Sequence, residues 1–191
     1  ISACLVGSEM CIRDSTKPVK RLAYINWSSP MAGSTQTLKD FSYGKNPDGS
    51  NQSATGTVSN RYFSYNNNAF VSVPETSTFE AGAGYQIRTP NDFTTTPQVF
   101  HGQFEGTTPN TGAISVHHNG IITGDYVLLG NPYPSAISIN DFLTHNPGTQ
   151  ETFYIWNSGA EMIDNAYGGG NYNTYAPNTG SVPAGSINGY I

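Results

Sequence analysis

From Arg21 onward, apolar and polar residues alternate in short runs bounded by Gly, Pro and Asn, the period-2 pattern of half-buried strands. Strands are expected at Arg21–Trp27, Asn60–Tyr65, Ala69–Val73, Gly84–Arg88, Val99–Phe104, Ala113–His117, Tyr126–Leu129, Thr152–Trp156 and Asn171–Tyr175. Asn66-Asn67-Asn68 lies between two of these runs, and asparagine tolerates positive φ, so a tight hairpin belongs there. The helical spacing occurs only near Thr37–Phe41 and Ser138–Leu143, each about one turn long. Ser138 can cap the second turn, with Asp141 at N3 favoured by the helix dipole. Gly44–Gly56 has no apolar periodicity and reads as a long surface loop, and Gly159–Gly180 is a second loose stretch around Gly168-Gly169-Gly170.

The pattern repeats. Tyr24-Ile25-Asn26-Trp27-Ser28-Ser29-Pro30, Leu38-Lys39-Asp40-Phe41 and Tyr62-Phe63-Ser64-Tyr65-Asn66 form a first copy. Tyr126-Val127-Leu128-Leu129-Gly130-Asn131-Pro132, Ile139-Asn140-Asp141-Phe142 and Phe153-Tyr154-Ile155-Trp156-Asn157 form a second. Each reads as a strand, a proline stop, a helical turn presenting Asp-Phe, a loop and an aromatic strand. Proline ends ladder pairing, and the Phe of the turn plugs the open end of a sheet core. The expected organisation is a first copy over about 21–90, connecting strands over 91–124 and a second copy over 125–191. By the repeat, a closing strand is expected past Ile191, so the second copy reads as cut short. The fold class is all-β, a sandwich-like antiparallel arrangement with an internal duplication and two short helical turns.

Composition sharpens this picture. Charged residues make up 11% of the 191, and polarity comes instead from 20 Thr, 19 Ser and 19 Asn. With 21 Gly, 12 Pro and 12 Tyr, that is a turn-rich, β-favouring chain, unlike a helical bundle or coiled coil. A net charge of −5 lacks the basic footprint of a nucleic-acid binder. No apolar run approaches the ~20 residues that span a bilayer as a helix.

Residues 1–15, ISACLVGSEMCIRDS, differ in tone and hold both cysteines, Cys4 and Cys11. Gly7, Ser8 and Glu9 interrupt the apolar run a signal peptide needs. The stretch resembles a translated sequencing-adapter read-through found at the ends of metagenomic reading frames. That resemblance implies a segment that joins no core and whose removal leaves melting nearly unchanged.

Candidate chemistry is sparse. His117 and His118 are adjacent in an expected strand and so point to opposite faces, while His101 and His145 lie far away; they read as surface histidines. Gly82-x-Gly84 precedes a strand rather than a helix and reads as a turn, not a phosphate loop. Residues 46–51 have oxygen side chains around Gly49 but lack the spaced carboxylates and closing Glu of a calcium loop, so a solvated tip is favoured. No Gly-x-Ser-x-Gly elbow occurs, and Glu75, Glu80 and Glu151 form no recognisable acid/base couple. No catalytic residue, metal ligand or cofactor is assigned. Tyr154, Trp156 and Tyr133 are the candidate glycan-stacking residues, because flat aromatic faces with polar tips suit sugars. In Phe153-Tyr154-Ile155-Trp156, alternation places Tyr154 and Trp156 together on one face.

The residues that punctuate the copies carry a resemblance. Trp27-Ser28-Ser29-Pro30, Asn60-Arg61-Tyr62, the run from Gly82 through Gly84 to Pro90, and above all Leu129-Gly130-Asn131-Pro132-Tyr133-Pro134-Ser135-Ala136-Ile137 are similar to a β-rich module of large secreted surface proteins of Bacteroidetes. Such modules often precede a type IX secretion sorting domain. Trp27, Pro30, Asp40, Phe41, Gly84, Gly130, Asn131, Pro132, Pro134, Asp141 and Phe142 are its structural signature here. The resemblance implies a secreted or cell-surface location and a non-enzymatic structural or adhesive role. The expected partners are neighbouring domains of the same polypeptide and an extracellular glycan or protein. A carbohydrate-binding module is the alternative, and a secreted hydrolase fragment a distant third.

Overall fold

A computed structural model of the chain describes residues 2–6, 9–116, 125–149, 152–157, 162–163, 166–167 and 171–176. In chain order the elements are β1 (Ser2–Val6), β2 (Glu9–Ser15), β3 (Tyr24–Trp27), β4 (Met31–Ala32), α1 (Leu38–Phe41), β5 (Tyr62–Asn66), β6 (Ala69–Ser72) and β7 (Tyr85–Arg88). There follow β8 (His101–Gly106), β9 (Thr108–Pro109), α2 (Ile139–His145), β10 (Phe153–Asn157), β11 (Met162–Ile163), β12 (Ala166–Tyr167) and β13 (Asn171–Tyr175). The strands form antiparallel sheets in the orders β3-β7-β5-β6, β1-β2-β8, β4-β9, β10-β13 and β11-β12. The fold is all-β with two short helices, as its period-2 pattern dictates.

The main core lies between the inner faces of β3-β7-β5 and the β2-β8 pair. Trp27, Tyr62, Tyr85 and Ile87 from the first sheet meet Ile12, Phe100 and Phe104 from the second side, with Phe79 and Phe93 closing the rim. Phe41 of α1 sits among them, stacked on Phe104 at 4.6 Å and edge-on to Trp27 at 5.0 Å and Phe79 at 5.1 Å. It is the expected plug, and β8 makes room for it: a Cβ at Gly102 would lie 2.7 Å from the Phe41 ring. Aromatic edge-to-face pairs contribute about 0.5–1.5 kcal/mol each beyond their buried area.

Local chemistry explains the turns. Asn67 and Asn68 adopt φ of 49° and 57°, making the two-residue turn that joins β5 to β6. Thr37 caps α1 through a reciprocal capping box with Asp40, and the Ser138 Oγ accepts from the Asp141 N–H at the start of α2.

Three expectations need correction. Residues 9–15 do join the core. β2 pairs with β8 from Met10 to Ser15, Cys11 and Ile12 are buried, and the Arg13 guanidinium donates to Gln103. Cys11 is disulfide-bonded, and Cys4 lies opposite it in the β1–β2 register. Second, residues 113–116 form no strand: after a turn at Gly112, with φ of 72°, Ile114 and Val116 lie against Gly82 through their side chains rather than in a ladder; His117 lies outside the described residues. Tyr126–Leu129 is likewise reduced to one bridge, Leu129 with Ala83. Third, the 44–56 segment is not a purely surface loop. Ser53 and Gly56 are buried, the Ser53 hydroxyl donates to Asp92, and the Gln52 side chain bonds both Val99 and His101.

Candidate functional site

The two copies use equivalent residues for equivalent contacts. Ser29 Oγ accepts from Met31 N at 3.1 Å, and Asn131 Oδ1 accepts from Tyr133 N at 2.9 Å, the same side-chain turn at the same repeat position. Tyr24 meets Phe63 edge-on at 5.9 Å, and their counterparts Tyr126 and Tyr154 meet at 5.6 Å. Tyr65 meets its cross-strand neighbour Phe70 at 5.0 Å, and the counterpart Trp156 meets its own cross-strand neighbour Tyr172 at 5.0 Å. β13 is therefore the counterpart of β6. The Asn67-Asn68 turn of copy one is replaced in copy two by the longer excursion that carries β11 and β12.

The two copies also touch each other. The Trp156 indole N–H donates to the Tyr24 carbonyl at 2.7 Å. Burial raises the Tyr172 pKa, and nearby Tyr65 adds to the shift. The Asn68 amide donates to Asp125 at 2.7 Å, while its oxygen accepts from the Tyr126 N–H at 2.8 Å. At the proline stops the copies meet at their own repeat positions. A Cβ on Gly130 would lie 2.0 Å from the Cβ of Ser28, its counterpart. Gly130 N donates to Gly82 O and Gly84 N to Leu128 O, and a Cβ on Gly84 would collide with Leu128 at 2.6 Å. Buried Asn110 straddles both stops. Its N–H donates to Pro30 O, and its side-chain amide reaches Ser29 O at 3.3 Å and Pro132 O at 2.9 Å.

The candidate glycan residues all have partners within the chain. Tyr154 is 48% exposed, and a hydrogen bond with Tyr126 raises its pKa. Trp156 is half-buried and committed to Tyr24, and the Tyr133 hydroxyl is committed to Gly112 O at 2.6 Å. Tyr154 and Trp156 do share a face of β10, as alternation requires, but their neighbours meet them edge-on rather than extending a flat surface. Among the described residues the other exposed large apolar side chains are Phe70, Val71, Tyr126, Val127 and Tyr172, of which Phe70 meets Tyr65 and Tyr172 meets Trp156.

A family profile described as a domain of unknown function, DUF8693, matches residues 5–189. The chain belongs to that family. No curated protein and no solved structure matches it.

Elsewhere in this DUF8693 chain the signature residues serve the fold. Trp27 and Phe41 are core, Pro30 and Pro132 are buried stops, and Phe142 meets Phe153 at 5.9 Å. Pro134 and Asp141 are exposed. A cavity of about 150 Å³ is lined by Gly33, Thr35, Gln36, Asp40, Glu105 and Gly106. Its two carboxylates are already engaged, Asp40 by the Thr37 cap and Glu105 by the Gln103 amide. Of the histidines, His101 pairs with the Ser15 hydroxyl and His145 with the Asp141 carbonyl; His118 lies outside the described residues. In the 46–51 loop, Asp48 accepts from Ser50 N and Oγ, which lowers its pKa, and the Lys45 ammonium occupies Asn51. Among the described residues no three His, Cys, Asp or Glu side chains gather in a way that could hold a metal ion, and no helix is long and apolar enough to cross a membrane.

Proposed function

We propose that this chain is a non-enzymatic structural or adhesive module of a larger secreted or cell-surface protein. One observation carries the reading: Trp156 spends its indole N–H on the Tyr24 carbonyl and so ties one copy to the other. An aromatic row that a sugar-binding surface would leave free is used here as an internal joint. The repeat-equivalent aromatic pairs on each side support the same use. The exported location rests on the resemblance of the Leu129–Ile137 element, and the low charge with abundant Ser, Thr and Asn agrees with it.

The test compares Trp156→Ala and Tyr154→Ala with the parent chain in thermal melting and in binding to a panel of neutral oligosaccharides. The structural reading expects Trp156→Ala to melt well below the parent and neither variant to change a saccharide affinity. Micromolar binding to one sugar, abolished by these substitutions at unchanged melting, would establish the carbohydrate-binding alternative instead. Protease shaving of intact producing cells tests the location: surface protein is removed, internal protein is not.

A further inference from the structure

The outer face of the β3-β7-β5 sheet carries two arginines side by side. Tyr24 lies directly opposite Arg88 in the β3–β7 register, and the Arg88 N–H donates to the Arg61 carbonyl on the other side. With Tyr62 opposite Ile87, Arg61 is the cross-strand neighbour of Arg88. The row therefore reads Tyr24, Arg88, Arg61 across three adjacent strands. Like charges directly opposite each other destabilise a sheet. Among the described residues neither guanidinium has a carboxylate partner: Arg61 reaches the Asn60 carbonyl at 3.0 Å, and Arg88 reaches the Asn91 side chain at 3.4 Å. Among the described residues the buried Arg88 Nε has no hydrogen-bond partner. In an acidic chain with 8 basic residues, two of them paired against each other imply a missing counter-charge.

We propose that Arg61 and Arg88 form a binding site for a carboxylate presented by an acidic saccharide, with the Tyr24 ring as its flanking wall. Two guanidinium forks side by side match the planar carboxylate through charge-assisted bonds. The bound anion offsets both the repulsion within the pair and the poor solvation of Arg88. Burial already lowers the Arg88 pKa, and Arg61 and Arg21 press it further down, against a raising effect from Tyr24. The Trp156 indole bonds the Tyr24 backbone carbonyl at the edge of the same sheet. The site stands whether or not the module is otherwise purely structural.

The test titrates the whole chain, by calorimetry at low salt, with an oligomer of uronic acid, with the matching neutral oligomer and with acetate. Saturable binding of the uronic acid oligomer is expected, weakened at least tenfold by Arg61→Gln and by Arg88→Gln, unaffected by Lys17→Gln, and reduced by salt. Binding of acetate as well would show that the carboxylate alone suffices; binding of the acidic oligomer alone would show that the Tyr24 wall contributes. A second reading uses melting temperature. Without anion, Arg61→Gln should melt at or above the parent, and the acidic oligomer should raise the melting point of the parent but not of the variant. The proposal is overturned by equal affinity for the neutral oligomer, by no saturable binding up to millimolar acid, or by unchanged affinity in both arginine variants.

Discussion

Gly130→Ala tests the meeting of the two copies at a single methyl group. The added Cβ would stand 2.0 Å from the Ser28 Cβ and 2.5 Å from its Oγ, whereas carbon atoms in contact sit about 3.5–4.0 Å apart. Gly130 has an ordinary φ, so the backbone itself accepts alanine and the whole effect is steric. Overpacking of this kind costs about 1–3 kcal/mol, and at about 2–4 °C per kcal/mol for a chain of this size the melting point should fall by about 2–12 °C. Ser28→Gly removes both clashing atoms and leaves only the Ser28 Cα, at 3.3 Å. The buried Ser28 hydroxyl has no hydrogen-bond partner among the described residues, so its loss removes no bond there, and the variant costs only about 0.5–1 kcal/mol of glycine entropy. The double variant should then be more stable than Gly130→Ala alone, with a coupling energy of about 1–2 kcal/mol in chemical denaturation. Parent-like stability of Gly130→Ala, or strictly additive losses in the double variant, would refute the contact.

Further outcomes follow from named contacts. Asn110→Ala strands the Ser29 and Pro132 carbonyls in the interior, so a loss of about 2–3 kcal/mol is expected in urea denaturation. Ile12→Ala should cost about 2–4 kcal/mol, because Ile12 belongs to the main core; a neutral result would return residues 9–15 to the status of a bystander. Burial pushes the Tyr62 pKa up to about 12. The folded state thus holds that proton more tightly than the unfolded chain, whose tyrosine titrates near 10. Its contribution is intact below about pH 10 and is lost as pH rises toward 12, so Tyr62→Phe should flatten the stability profile in that window.

Much of the fold was legible because local chemistry left few choices. Three consecutive asparagines between aromatic runs demanded a positive-φ turn, and Asn67 and Asn68 supply it. Ser138, three residues ahead of Asp141, marked the start of the second helix. The duplication was visible in the Asp-Phe and proline spacings. What escaped was decided by partners rather than by pattern. Tyr126–Leu129 alternates like a strand, yet it lies against Gly82–Gly84, where only two backbone bonds can form. The tone of residues 9–15 said nothing of the free edge of β8 that they occupy. The engagement of the candidate platform residues was hidden for a similar reason. Alternation correctly put Tyr154 and Trp156 on one face, but it could not reveal that the other copy supplies the Tyr24 carbonyl. Nor does any linear spacing place Arg61 beside Arg88; that juxtaposition exists only in the register.

The central claim is that aromatic side chains join the copies, and hydrogen exchange of the Trp156 indole N–H tests it most directly. Trp156→Phe assigns its resonance against that of Trp27, the second tryptophan. The account predicts exchange slowed by about tenfold or more relative to a free indole, because the proton is held by the Tyr24 carbonyl and released only when the joint opens. Exchange at the free rate in the folded protein would contradict it.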